Sequence, residues 1–274
     1  MKLKIYILVI KKNKLMKIHK EHVIFDQIAT MLHSLYSNDP KYRNTVFVLG
    51  YNVMAGNSIE RLRKQYPSMK LIIIQLEQLF VGSPWVTKRK IEFLQQCDEI
   101  WDYDESNIAF LKTRFNITAK LFTLKYVPEL NVLPLLPKQD HDIDILYYGA
   151  FNDRRQIALN NIRTLMPDKN IITTDSLWGD ELNDAIHGSK IIVNLHFFEQ
   201  NRQEQARLFY LMCNHKCIVS ETSIINYYGN GIIESNIDNI HTVCKQTLDS
   251  GVWYDYAKQS LKSIIFSNEY YKDR

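Results

Sequence analysis

Lys190-Ile-Ile-Val-Asn-Leu-His196 opens a strand, helix and strand pattern that continues through Glu204 and Arg207 to Cys217-Ile-Val-Ser-Glu221. Both apolar runs have the length of a buried strand, and the segment between them has helical periodicity, with an acid and a base one turn apart. In a parallel sheet such a unit brings polar groups to the carboxyl edge, where open α/β sheets bind their ligands. We therefore expect a ligand site where these polar residues meet.

Apolar runs of strand length alternate with helical patterns along the whole chain, which predicts parallel sheets covered on both faces. In the first half, strands are predicted at 4–10, 45–49, 71–74, 99–101 and 120–123, with helices near 21–36, 57–66, 87–96 and 105–114. In the second half, strands are predicted at 143–148, 170–173, 190–195, 217–220 and 231–233, with helices near 152–165, 179–187, 202–213, 238–248 and 252–263. The predicted fold class is α/β with two Rossmann-like domains.

The boundary between the two domains is marked by prolines. Pro128, Pro134 and Pro137 stiffen a segment that cannot be a helix or a central strand. We place the linker at about 127–141, the N-terminal domain at 1–130 and the C-terminal domain at 142–274.

Composition excludes several classes of protein. With 46% apolar residues the chain is expected to be globular, and 34 basic against 30 acidic residues are too balanced for a dedicated nucleic-acid surface. No run approaches the roughly 20 apolar residues that span a bilayer, and the apolar run 5–10 is expected to be a first core strand rather than a signal peptide. The composition leaves the oligomeric state open.

The four cysteines, Cys97, Cys213, Cys217 and Cys244, include no CxxC pair and lie in or beside apolar runs. They are expected to be buried thiols in a reducing, cytoplasmic setting. The alternative is that Cys213 and Cys217 bind a metal at helical spacing.

Two nucleotide-binding motifs are absent from the sequence. No G-x-G-x-x-G follows the first strand, and no P-loop Gly-Lys-Ser/Thr is present among the nine glycines. Hydride transfer on NAD and P-loop phosphoryl transfer are therefore not expected.

Gly149-Ala-Phe-Asn-Asp-Arg-Arg155 follows a predicted strand directly and suits a phosphate site. Asn152 or Asp153 would cap a helix whose exposed first turn displays Arg154 and Arg155, so backbone N–H groups, the helix dipole and two guanidiniums would converge. The alternative is that the two arginines pair with surface acids such as Asp153.

Glu204 and Arg207 begin a polar stripe that continues through Tyr210 and Asn214 on an otherwise apolar helix. Because the helix lies between two buried strands, the stripe is predicted to face a ligand, with a solvated surface as the alternative.

Three further residues lie at predicted strand ends. His196 would hydrogen bond a sugar hydroxyl or phosphate, or would be a satisfied structural group. Glu221 would accept from ribose or sugar hydroxyls, or would cap the next helix. Glu77 follows the strand 71–74 and is a candidate base or acceptor-binding group, or a solvated loop carboxylate.

Asp102-Tyr-Asp104 matches the D-x-D pattern by which some glycosyltransferases hold a divalent cation. Asp142-Ile-Asp144 matches it equally, which shows how readily the pattern arises by chance. No metal ligand is therefore predicted.

These motifs together resemble GT-B-fold glycosyltransferases related to the spore-maturation-protein-like family, which is also found in large DNA viruses. The likeness covers about 75–222, roughly half the chain. The matching stretches are 77–79, 98–103 with Asn107, 126–128, 142–149 with Asn152 and 154–155, 194–196, Glu204-x-x-Arg207 and 219–221.

The resemblance implies two Rossmann-like domains facing across a cleft, a nucleotide-sugar donor held mainly by the C-terminal domain, and no metal requirement. Arg154 and Arg155 fall where the family carries paired arginines, and Glu204 and Arg207 fall on its acid–base helix. Tyr210 stands nearest to the position where the wider fold class often has a ribose-binding Glu. The family usually has Ser at the position of Asp104.

The sequence thus predicts a metal-independent glycosyltransferase that moves a sugar from a nucleotide-sugar to a glycan or protein acceptor. Glu77 and His196 are the candidate catalytic residues. The candidate donor-binding residues are Gly149, Asn152, Arg154, Arg155, Glu204, Arg207, Tyr210 and Glu221. The alternative is a non-catalytic GT-B-like module that binds a nucleotide or a glycan.

Overall fold

A computed structural model describes residues 6–11, 14–18, 23–51 and 58–270 of the chain. The chain divides into two compact units, the first ending at Leu124 and the second beginning at Lys125. Each unit is built around one β-sheet, as the alternating apolar and helical patterns predict.

The sheet of the first unit has the strand order β2-β1-β3-β4-β5-β6. Strands β3 to β6 are parallel, and their apolar side chains are buried beneath helices on both faces. The elements are β1 Tyr6–Lys11, β2 Lys14–Ile18, α1 Val23–Tyr36, β3 Asn44–Leu49, α2 Ser58–Gln65, β4 Lys70–Gln75, α3 Lys88–Gln95, β5 Glu99–Asp102, α4 Glu105–Phe115 and β6 Lys120–Leu121.

The first strand departs from the predicted parallel arrangement. β1 runs antiparallel to both β2 and β3, so the parallel part of this sheet has four strands. The sequence does not predict β2, because Lys14 and Lys17 interrupt its apolar residues. Residues 4, 5, 21, 22 and 57, which belong to predicted elements, lie outside the described residues.

The sheet of the second unit has the order β11-β10-β9-β7-β8, and all its strands are parallel. The chain leaves β7 for β8 on one side and returns to β9 on the other, so a topological switch point lies between β7 and β9. The elements are β7 Ile143–Tyr148, α5 Asp153–Leu165, β8 Ile171–Thr174, α6 Gly179–Gly188, β9 Ser189–Asn194, α7 Gln205–Cys213, β10 Cys217–Glu221, β11 Ile233–Ser235, α8 Ile240–Asp249 and α9 Trp253–Tyr270.

The proline-rich segment at about 127–141 contains only two short 3-10 turns, at Pro128–Leu130 and Lys138–Asp140. It is attached to the end of α7 by the buried side chain of Asn214, which accepts from the backbone N–H groups of Val132 and Leu133 at 2.9 and 2.8 Å. The Asn214 amide also donates to the carbonyl of Leu130 at 2.9 Å. The prediction that Asn214 belongs to a ligand-facing stripe is therefore wrong, because all these contacts are structural.

All four cysteines are free thiols, and Cys213, Cys217 and Cys244 are buried. Burial raises the pKa of the Cys244 thiol to about 12, so this group stays protonated and apolar near neutral pH. Within the described ranges, no helix is long and apolar enough to cross a membrane.

Candidate functional site

The predicted donor-binding residues come together at the carboxyl edge of the second sheet. Gly149 and Asn152 follow β7, Glu204 follows β9, and Glu221 ends β10, while α5 supplies Arg154 and Arg155 and α7 supplies Arg207 and Tyr210. This edge includes the switch point between β7 and β9, where open α/β sheets bind ligands.

Asn152, one of the two predicted candidates, caps α5. Its Oδ1 accepts from the backbone N–H of Arg155 at 3.0 Å, and its Nδ2 donates to the carbonyl of Phe197 at 2.9 Å. The first bond begins the helix, and the second ties that beginning to the loop after β9. The positive end of the α5 dipole is therefore fixed at the switch point.

Arg155 is buried, with only 2% of the residue exposed, so the prediction that it lies on an exposed helix turn is wrong. Its Nε donates to the carbonyl of Leu195 at 3.0 Å and its Nη1 to the carbonyl of Ala150 at 2.8 Å. Its Nη2 binds Glu204 Oε1 at 2.7 Å. The side chain turns inward because its guanidinium donates hydrogen bonds to carbonyls beyond the ends of two strands and to a carboxylate at the same time.

Glu204 lies between two arginines at the start of α7. Its second oxygen lies 3.3 Å from Arg207 Nη1, and its first oxygen also accepts from the backbone N–H of Phe197 at 3.2 Å. Burial opposes ionisation, but the Arg207 and Arg155 guanidiniums hold the pKa of Glu204 below its usual range. Glu204 therefore stays ionised and orients both arginines.

Arg207 depends on the absence of a side chain at Gly149. Gly149 has φ +133°, and a Cβ built there would lie 2.5 Å from Arg207 Nη2. The guanidinium also lies over the Tyr148 ring at 5.2 Å, and its Nη1 donates to Asn194 Oδ1 at 3.3 Å. The glycine thus lets a cation lie directly over the backbone at the end of β7.

Arg154 pairs with Glu221 through two hydrogen bonds. Arg154 Nη1 donates to Glu221 Oε2 at 2.7 Å, and Nη2 donates to Oε1. Glu221 also accepts from the backbone N–H of His196 at 3.0 Å, and Arg154 Nη1 donates to the His196 carbonyl at 3.2 Å. Arginine–carboxylate pairing, the alternative to phosphate binding, is therefore present for both arginines. The partners are Glu221 and Glu204, however, rather than the surface residue Asp153.

His196 and Tyr210 are both buried and hydrogen bonded within the unit. The His196 ring Nε2 lies 3.3 Å from the Thr222 carbonyl and 3.4 Å from Ser223 Oγ, while Nδ1 has no hydrogen-bond partner among the described residues. The Tyr210 hydroxyl donates to Asn183 Oδ1 at 2.9 Å. Their predicted ligand contacts remain predictions.

A cavity of about 410 Å³ lies beside the Arg154–Glu221 pair. Sequence reasoning missed its other lining residues, which follow the ends of β10 and β11 or lie in the loop after β9. They include Asn201, Thr222, Ser223, Ile224, Asn236 and Ile237. The position of Asn236 was not predicted because the sequence pattern indicates a last strand that ends at 233. β11 runs to Ser235 and places Asn236 at the edge.

In the first unit, Glu77 lies just beyond β4 and is held through its backbone. Its N–H donates to Gln75 Oε1 at 2.7 Å, and its carbonyl accepts from Asn107 Nδ2 at 2.8 Å. The residue is partly exposed at the carboxyl edge of this sheet, as predicted for a strand-end carboxylate. Its chemical role remains a prediction.

Both D-x-D pairs are engaged in structural contacts. Asp102 is fully buried and accepts from Gln75 Nε2, Asn107 Nδ2 and the Asp104 N–H at 2.9–3.1 Å. Asp104 caps α4, and Asp144 binds Lys190 Nζ at 2.6 Å. Among the residues that the structure describes, no group of three or more His, Cys, Asp or Glu is arranged to hold a metal ion.

Comparison with known proteins identifies the fold. No protein-family model and no curated protein sequence matches the chain. Among solved structures, TarM matches with a TM-score of 0.55 at 9% identity, over 92% of this chain and 56% of that chain. An α-glucosyltransferase in complex with UDP-glucose and DNA containing an abasic site matches with a TM-score of 0.55 at 11% identity. The match covers 78% of this chain and 73% of that chain.

A variant of S. aureus TarM in complex with Fondaparinux, α-GlcNAc-glycerol and UDP matches with a TM-score of 0.51 at 11% identity, over 77% of this chain and 50% of that chain. The chain therefore spans little more than half the length of the TarM structures. At this identity the likeness shows the fold alone. That fold is α/β with two Rossmann-like units, the GT-B fold class of these glycosyltransferases.

The buried arginines allow a prediction about folding. Arg155→Ala should lower the free energy of unfolding by about 3 kcal/mol, because it leaves the Leu195 carbonyl without its donor and removes one of the two guanidiniums that hold Glu204. Arg154→Ala should cost about as much, because it leaves the Glu221 carboxylate, which is only 4% exposed, without its arginine partner. Urea unfolding checks both values. Arg163→Ala, an exposed arginine on the same helix, is the matched control, and equal losses in all three variants would contradict the assignment.

Asp102 allows a prediction about pH. Burial raises the pKa of Asp102 to about 8 despite its three hydrogen-bond donors, so the folded state retains a proton that the unfolded chain releases near pH 4. The free energy of unfolding should therefore fall as pH rises from about 5 to 8, and Asp102→Asn should reduce that slope. Urea unfolding at several pH values measures it. An equal dependence of unfolding free energy on pH in the unaltered protein and in Asp102→Asn would contradict a raised pKa of Asp102.

Proposed function

We propose that the protein transfers a sugar from a nucleotide-activated donor to an acceptor hydroxyl, and that its second unit holds the donor. The observation that carries this proposal is the arginine cluster at the switch point between β7 and β9 of a GT-B fold. The ligands named in the titles of the matching structures, UDP and UDP-glucose, belong to those proteins and support a donor of this class.

The charge of the cluster favours a diphosphate. Three guanidiniums, of Arg154, Arg155 and Arg207, against two carboxylates, of Glu204 and Glu221, leave a net charge of +1. The start of α5 adds the positive end of a helix dipole and unpaired backbone N–H groups. A nucleoside diphosphate would find both hydrogen-bond donors and a compensating charge at this edge.

The residues of the cluster have different roles in this proposal. Arg207 and the first turn of α5 contact the diphosphate, and Gly149 leaves room for the Arg207 guanidinium. Arg154 offers the part of its guanidinium that Glu221 does not occupy. Arg155 is a positioning residue, since all three of its nitrogens bond to protein groups.

Glycosyl transfer breaks the bond between the anomeric carbon and a diphosphate oxygen, and the electron pair leaves with the diphosphate. Fixed positive charge near the departing oxygen stabilises the transition state more than the ground state. We assign this task to the arginine cluster rather than to a metal ion. The acceptor oxygen forms the new bond and loses its proton to a base, for which Glu77 is the candidate.

The first functional prediction concerns the donor. Incubation with UDP-, GDP- and dTDP-sugars should give slow donor hydrolysis, and at least one free nucleoside diphosphate should raise the melting temperature. Arg207→Lys should weaken the binding of that nucleotide by about 1.5–3 kcal/mol, because lysine lacks the planar guanidinium that can donate two parallel hydrogen bonds.

EDTA should leave donor turnover unchanged, because the proposed reaction needs no metal ion. Hydrolysis that disappears in EDTA and returns with manganese would contradict metal independence.

No response to any donor or nucleotide would reject the proposal. A melting shift with nucleotide but no donor consumption, with or without acceptors, would favour the competing hypothesis of a module that binds a nucleotide or glycan without turnover.

The second functional prediction separates chemistry from donor binding. Glu77→Gln should lower kcat for transfer by about 10²–10⁴-fold, because the amide cannot take the acceptor proton. Its affinity for nucleoside diphosphate should match the unaltered protein, since Glu77 belongs to the other unit. Initial rates and calorimetric titration provide the two readouts, with Glu105→Gln as an exposed control. Unchanged kcat would remove Glu77 from the reaction.

A further inference from the structure

The cavity beside Arg154 and Glu221 lies wholly within the second unit, at the carboxyl ends of β10 and β11. Its volume of about 410 Å³ is within the usual range for small-molecule sites, roughly 300–1,000 Å³. Beyond the ion pair, its lining combines hydroxyl and amide groups with two isoleucines. Such a mixture suits a compact ligand with many hydroxyl groups and some apolar surface.

Backbone hydrogen bonds hold the walls of this cavity in place. The Thr222 N–H donates to the Ser235 carbonyl at 2.9 Å, and the Ile224 N–H donates to the Asn201 carbonyl at 2.8 Å. Asn201 has φ +46°, and its Oδ1 is buried with no hydrogen-bond partner among the described residues. The lining therefore forms a fixed surface in which the buried Asn201 Oδ1 is available to a ligand.

The charge around the cavity differs in sign from that at the switch point. Arg154 is the one cation among the lining residues, and Glu221 already neutralises it through two hydrogen bonds. Glu199 and Asp238 also act on the Arg154 guanidinium and, after Glu221, help to hold its pKa above the ordinary value. Carboxylates therefore outnumber the one cation around the cavity, which disfavours a phosphate or carboxylate ligand.

We propose that this cavity binds the transferred sugar of the donor and selects a neutral hexose; the inference rests on the proposed function. β10 and β11 lie about 5 and 10 Å beyond β9 in the sheet, at the usual strand spacing. A diphosphate at the switch point would thus place its attached sugar at the cavity, with the Arg154–Glu221 pair between the two subsites. Hydroxyl groups of the sugar would bond to Thr222, Ser223 and the Asn201 and Asn236 amides.

The carboxylates around the cavity predict which donor sugars it accepts. A uronic acid donor carries a carboxylate on its sugar, and Glu199, Asp238 and Glu221 would repel it. A hexose with a hydroxymethyl group at the same position has no such charge. The cavity should therefore discriminate against uronic acid donors, more strongly at low ionic strength, because Glu199 and Asp238 are exposed and their field is screened by salt.

Thr222 offers the sharpest test because it is exposed and lines the cavity. Calorimetry should compare UDP with UDP-glucose, or GDP with GDP-mannose if GDP binds better. The measured quantity is the gain in affinity of the nucleotide-sugar over the bare nucleotide. Thr222→Tyr, which fills the cavity, should abolish this gain. Thr222→Val should reduce it by up to about tenfold, the equivalent of one hydrogen bond. Thr222→Ser, which keeps the hydroxyl, should restore most of it. Thr113→Val, on an exposed surface of the first unit, is the matched control.

Affinity for the bare nucleoside diphosphate should stay within about twofold in every Thr222 variant, which also shows that the unit remains folded. UDP-glucuronate should bind more weakly than UDP-glucose. The double variant Glu199→Gln, Asp238→Asn should reduce this difference in affinity. Equal loss of UDP and UDP-glucose in Thr222→Tyr would overturn the inference, as would unchanged binding of the sugar conjugate. A chain that binds no nucleotide at all would instead reject the proposed function itself.

Discussion

The carboxyl edge of the second sheet depends on two groups of buried or partly buried ion pairs, Arg154 with Glu221 and Arg155 with Glu204 and Arg207. They join the ends of β7, β9 and β10 to the starts of α5 and α7. Buried ion pairs are costly to desolvate, and well-packed apolar residues often stabilise a fold as well or better. Their concentration at the switch point, where two guanidiniums hold the pKa of Glu204 below its usual range, therefore points to function more than to stability.

The same ion pairs divide the edge into two regions of opposite charge. Toward β7, Arg207 and the start of α5 leave a surplus of positive charge over the Gly149 backbone. Toward β11, Glu221, Glu199 and Asp238 outweigh Arg154. A nucleotide-sugar has the complementary division, because its diphosphate is anionic and its sugar is usually neutral. One arginine–carboxylate pair, Arg154 with Glu221, belongs to both regions and fixes the boundary between them.

Periodicity predicts most of the fold because apolar runs and helical stripes are local signals. The strands of the second sheet, the Asn152 cap and the convergence of Arg154, Glu204 and Glu221 at one edge all follow from such signals. The antiparallel direction of β1, the strand β2 and the inward turn of Arg155 do not, because each depends on partners distant in sequence. The cavity was missed for the same reason, since Asn201, Thr222 and Asn236 meet only after three strand ends are aligned.

Crystals of the protein soaked with a nucleoside diphosphate give the most direct test of the central claim, that the arginine cluster is a diphosphate site. Difference density should place the phosphates within hydrogen-bond distance of Arg207 and of the backbone N–H groups at the start of α5. The ion pair between Arg154 and Glu221 should remain intact. Phosphates bound at any other edge, or a cluster that stays empty at saturating nucleotide while calorimetry reports binding, would contradict it.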